Sequence, residues 1–213
     1  MVQYPELIYV SIFSTIFPLF AGIYAWRSIG RELRILVLYL AFVLIADVLM
    51  MWVIKNYSIN LGLMHFYFLI EYIFVVTIII SWQESSRMKR LFQALLLFYV
   101  IFWLIAKLTF EPLNGLYSIT ASVSSVLLAL FAGYTLFIVI GNRVQPLFIS
   151  HSFWVLLSFI IYFAGTLLLI ALQGILVRYS REDIFLAASI NWSLKILISL
   201  LFTAGILCPR TQP

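Results

Sequence analysis

Residues 61–82 read LGLMHFYFLIEYIFVVTIIISW. As a helix this stretch rises about 33 Å, enough to cross a hydrocarbon core of roughly 30 Å. A soluble domain has no use for so long an apolar run, because a surface helix needs a polar face. Near the middle stands a single acid, Glu71, where an ionisable group in lipid is costly and needs a reason.

Six more runs of the same kind flank it, at 7–26, 33–54, 91–110, 116–140, 150–173 and 184–206. The fold class is therefore all-α: a polytopic membrane protein with seven transmembrane helices, and residues 1–213 form a single transmembrane domain. Composition agrees, with 65% hydrophobic residues, 10% charged and a mean hydropathy of +1.13. We expect no second domain, since the connections are about a dozen residues or fewer. The stretch before the first run lacks a basic n-region, so that run is expected to stay as a span.

The net charge of +5 would suit nucleic acid, but the basic residues sit at helix ends in a membrane-orientation pattern. Arg27, Arg31 and Arg34 follow the first span, Arg87, Lys89 and Arg90 the third, Arg143 the fifth and Arg210 the seventh. The other side holds Glu6, Lys55, Glu111 and the balanced set Arg178, Arg181, Glu182 and Asp183. This alternation places the N-terminus outside and the C-terminus in the cytoplasm. Tyr4, Tyr9, Trp26, Trp52, Tyr57, Trp82, Tyr117, Trp154 and Tyr179 fall near the expected interfaces, where amphipathic rings settle. Pro18 predicts a kink in the first helix. No internal repeat is visible, and the single Cys208 excludes an intramolecular disulfide.

Three ionisable residues share the middle of the bundle. Glu71 and Lys195 lie near the bilayer centre, and Asp47 is about 10 Å below the outer end of the second span. Two acids and one base leave one negative charge uncompensated. We expect Lys195 to pair with one carboxylate, Glu71 by its matching depth, and the other to carry a proton. Ala188, Asn191, Lys195 and Ser199 recur at helical spacing as one inward stripe. His151, Ser158, Tyr162, Thr166 and Gln173 do the same on the sixth helix, with Tyr162 near the midplane. Ser118, Ser122, Ser125, Ala129 and Gly133 form a small-residue face suited to close packing on the fifth. His65 lies about 6 Å below the outer surface, where it would snorkel or line a vestibule. The competing bland reading is a structural ion pair that fixes helix register.

Little enzyme chemistry is legible. His65 and His151 stand at opposite membrane faces and cannot share a zinc, so no metal is expected. HExxH, GxSxG and phosphate-loop patterns are missing from the sequence. A lysine at the centre of a seventh helix resembles the retinal-bearing lysine of rhodopsins, with Glu71 in the counterion's place. Asn191 stands where microbial rhodopsins have an aspartate, so the likeness is one of position.

The segment Leu63-Met64-His65-Phe66-Tyr67-Phe68-Leu69-Ile70-Glu71-Tyr72 resembles a pattern in short, uncharacterised bacterial seven-transmembrane proteins, where a His and a Glu six residues apart open the third span. Phe153-Trp154 through Tyr162-Phe163-Ala164-Gly165, and the span from Asn191 to Leu207, are similar to that group too. The group is in turn similar to the seven-helix input modules of bacterial sensor kinases. The resemblance implies a multi-pass protein of the bacterial cytoplasmic membrane that signals through a membrane partner. On this reading the chain is a sensor or ligand-binding module rather than an enzyme. Asp47, Glu71, Tyr162, Asn191 and Lys195 line an outward-opening pocket for a small ligand or proton, with no cofactor and no nucleic-acid partner. The alternatives are a proton-coupled carrier, an intramembrane lipid enzyme and a retinal-binding protein.

Overall fold

The computed structural model describes residues 6–57, 61–115, 118–141, 147–176 and 181–208. Among them there is no strand. The first span is two helices, α1 (Glu6–Ser14) and α2 (Ile16–Tyr24). Then follow α3 (Arg31–Tyr57), α4 (Leu61–Ser81), α5 (Ser86–Thr109), α6 (Ser118–Gly141), α7 (His151–Leu176) and α8 (Arg181–Leu207), with one 3-10 turn at Leu147–Ile149. Among the described residues, seven segments are long and apolar enough to cross a membrane, and this is a multi-pass helical bundle.

The break in the first span has a local cause. Pro18 has no N–H, so the Ser14 carbonyl loses the donor that would come from four residues on. The chain tightens at Thr15, whose N–H reaches back three residues to Ile12 O at 3.2 Å. The expected kink is a full interruption.

Six helical walls close into a ring. α4 packs on α3 and α6, α6 on α7, α7 on α8, α8 on α1 and α2, and α2 returns to α3. α5 lies outside this ring, chiefly against α4. The hydrophobic core holds Leu36, Tyr72, Val75, Phe159 and Phe202, each 2% exposed or less. Phe13, Phe17, Phe98, Leu108 and Phe137 face outward as a lipid-facing coat. Small residues set the approach of the walls: Gly22 lies against Val37, and Gly205 leaves no room for a methyl beside Trp154 and Val155. On α6, Ser125 is buried, while Ser122, Ala129 and Gly133 lie at the edge of the contact. The buried register there runs through Ala121, Ser124, Leu128 and Ala132, one position over from the expected small-residue face.

Candidate functional site

Lys195 extends from the middle of α8 and forms an ion pair with Asp47 of α3. The two side chains are 14% and 20% exposed. Glu71 is therefore not the partner of Lys195, contrary to the depth argument. Glu71 does stand midway along its helix, but its direction around the bundle is wrong. α4 has α3, α5 and α6 for neighbours, whereas α8 has α7 and the first span. A lysine on α8 finds α3 across the first span before it finds α4.

Glu71 is 2% exposed and is held by phenols instead. Tyr39 of α3 donates to its Oε1 at 2.9 Å, and Tyr67, one turn earlier on α4, donates to the same oxygen at 3.2 Å. Aromatic packing fixes both donors. Tyr39 meets Phe74 and Phe159 with ring centroids 6.0 and 6.4 Å away, and Tyr67 stacks on Phe42 at 5.8 Å. No cation is paired with Glu71 among the described residues.

Between the two acids lies one small space. Thr15, Tyr39, Leu40, Val43, Tyr67, Tyr162, Lys195, Ile198, Ser199 and Phe202 line it, so five helical walls meet there. Its volume is ≈ 20 Å³, room for about one water molecule. Thr15, released by the break in the first span, is 2% exposed and its hydroxyl has no protein partner. Such an orphaned polar atom beside a polar, water-sized space is the usual setting of a buried water. Ser199 continues the polar line on α8, bonding to the Lys195 carbonyl at 2.8 Å and standing 3.2 Å from Ser14.

The structure thus brings together Asp47, Lys195, Glu71 and Tyr162 around one centre, and adds Tyr39, Tyr67 and Thr15. Asn191, one turn from Lys195 and half-buried, does not line the space. The side chain of Gln173 lies outside the described residues. Of the residues expected to line an outward-opening pocket, Tyr162 and Lys195 border this space, while Asp47 and Glu71 stand behind their partners.

His65 also differs from expectation: it does not snorkel but is 1% exposed. Its Nδ1 lies 2.6 Å from Lys107 Nζ of α5, and its Nε2 lies 3.1 Å from the Gly115 carbonyl. Lys107 also donates to Glu111 at 3.1 Å and Thr120 at 3.2 Å. The spacing of Lys107 and Glu111, four residues apart at a helix end, is the signal that points to this second cluster. Trp103 closes it, its ring centroid 5.5 Å from the ammonium.

At the other end of the bundle His151 stands 3.7 Å from Glu32, in a cleft of ≈ 480 Å³ lined also by Arg27, Ile206 and Cys208. No group of three His, Cys, Asp or Glu side chains among the described residues is placed to hold a metal ion. No family model, curated protein or solved structure matches this chain.

Proposed function

We propose that this chain is a membrane-embedded sensor module whose polar centre takes up a proton, with Glu71 as the group that gains and loses it. The space of ≈ 20 Å³ beside Lys195 carries this reading. Small-molecule pockets run from roughly 300 Å³ upward, so a proton and a water are what this centre accommodates as it stands. A retinal chain or a solute would need the helices to part.

Charge bookkeeping assigns the labile group. Asp47 already neutralises Lys195, so an ionised Glu71 adds an unpaired negative charge in a dry interior, and a proton removes it. The phenols of Tyr39 and Tyr67 suit either state, because each hydroxyl can donate to the carboxylate or turn to accept from the acid. Loss of the proton would pull donors and the Lys195 ammonium toward Glu71, shifting α3 and α8 against each other. A membrane partner would read that shift, as the resemblance to sensor-kinase input modules suggests. We read the chain as a protein of the bacterial cytoplasmic membrane, and the excess of basic residues at alternate helix ends supports a cytoplasmic C-terminus.

Infrared difference spectroscopy between acid and alkaline buffer tests the reading. The wild type should show the carbonyl stretch of a buried carboxylic acid that disappears at high pH. Glu71→Gln should abolish that band, and the double variant Asp47→Asn with Lys195→Met, which keeps the charge balance around Glu71, should leave it. A band that survives in Glu71→Gln would sink the assignment. Proton-driven solute flux in liposomes, lost in the same variant, would convert the sensor into a carrier.

A further inference from the structure

The cluster around His65 has no part in the centre just described, and its hydrogen bonds determine a protonation state. An ammonium only donates, so Lys107 Nζ at 2.6 Å requires a lone pair on His65 Nδ1. The imidazole is then neutral, and its Nε2–H donates to the Gly115 carbonyl at 3.1 Å. Each donor of Lys107 has its acceptor: His65, Glu111 Oε1 and Thr120 Oγ1. Thr120 Oγ1–H in turn donates to Glu111 Oε1 at 2.9 Å. Glu111 Oε2 accepts the Thr120 N–H at 2.9 Å, which places a carboxylate at the start of α6, where the helix dipole favours it. Tyr99 seals the far side by donating to the Thr120 carbonyl at 3.1 Å. The network ties α4, α5, the turn at residues 110–115 and α6, with the His65, Lys107 and Glu111 side chains 0%, 6% and 3% exposed.

We propose that His65 Nδ1 is a second proton-binding site, on the 110–115 side of the membrane, and that filling it expels Lys107 from the cluster. A proton on Nδ1 removes the lone pair that Lys107 uses and sets two cations face to face in a buried space. Among the described residues, the facing charged and titratable groups are Lys107 from α5, Glu111 from the turn and the phenol of Tyr99, and α6 contributes the Thr120 hydroxyl. Glu111 Oε1, 3.7 Å from His65 Nδ1, is the acceptor to which the new N–H turns. Glu111 thus changes partner from lysine to imidazolium. Lys107, in the last turn of α5, extends past Thr109 to water. The 110–115 turn loses its lysine anchor and loosens.

Hydrogen exchange of peptides covering residues 105–120, in nanodiscs at about pH 8 and about pH 5 and corrected for intrinsic rates, reads this out. The wild type should exchange on the order of tenfold faster at the lower pH. His65→Gln, whose amide can accept from Lys107 and donate to Gly115, should hold the slow rate at both. His151→Gln should behave as the wild type. Nitrogen-15 spectra of labelled histidine should show the Nε2–H form of His65 at high pH and the imidazolium at low pH, which keeps the test sound if the Gln variant fails to fold. Equal acceleration in His65→Gln, or a neutral His65 at pH 5, overturns the proposal. Because Glu71 remains intact in His65→Gln, this test fails or succeeds independently of the central proton site.

Discussion

At the scale of the residue, Asp47 and Lys195 exist for each other. Removing one partner leaves a largely buried charge unpaired, and removing both leaves a gap that apolar groups can fill. Asp47→Asn should therefore destabilise the bundle by roughly 3 kcal/mol, toward the lower side because the pair is not fully buried. The double variant Asp47→Asn with Lys195→Met should recover more than half of that loss. Unfolding in mixed detergent micelles measures both; equal losses in single and double variants would show the pair to be independent of each other's charge. The same residues show what a sequence can and cannot convey. Position along a helix follows from counting at a fixed rise per residue, so Glu71, Lys195 and Asp47 were legible as groups well inside their spans. Direction around the bundle was not, because core and lipid are equally apolar and leave no polar face to orient α4 or α8. The azimuth decided that Lys195 meets Asp47, and hid Tyr39 and Tyr67, which read as two more aromatics in apolar runs. Lys107 and Glu111 read as ordinary helix-end charges, and only burial by α4 and α6 makes them a site.

At the scale of the element, the first span matters most. Its interruption at Thr15 turns an otherwise helix-bonded residue into a wall of the central space. The sequence announced a kink through Pro18, but not that the freed hydroxyl would face Lys195. Close packing holds this broken span in place. A methyl added at Gly22 would land in the branched side chain of Val37, which has no flexible end to move aside. Gly133 of α6 has nothing within 4 Å of such a methyl. Gly22→Ala should cost about 1–3 kcal/mol through overpacking, while Gly133→Ala should be neutral or stabilise by up to about 1 kcal/mol through helix propensity. Thermal unfolding in one detergent checks the pair, and a stable Gly22→Ala protein would mean that α2 and α3 do not approach as closely as described here.

At the scale of the whole molecule, two buried polar clusters, each proposed as a proton site, lie in one bundle, and orientation decides what each one senses. The proposed orientation puts the 57–61 and 109–118 connections outside and the 24–31, 81–86 and 141–147 connections in the cytoplasm. His65 would then meet external protons first, behind a turn on the surface, while Glu71 is reached only through the interior of the ring. In a Cys208→Ser background, Lys55→Cys and Leu113→Cys on intact cells should react with a membrane-impermeant maleimide, whereas Arg87→Cys should react only after the membrane is opened. All three parent side chains are exposed, so accessibility to the reagent depends on the side of the membrane and not on burial. The reverse pattern would turn the bundle over and make the His65 cluster a reader of cytoplasmic pH. Labelling of all three from one side would contradict an odd number of crossings between residues 55 and 87, and with it the assignment of α4 as a span. A spin label on the Leu113→Cys protein also reports on the turn itself, since its mobility should rise at acid pH as Lys107 leaves Glu111. Topology and the outer proton site are in this way joined in a single accessible position.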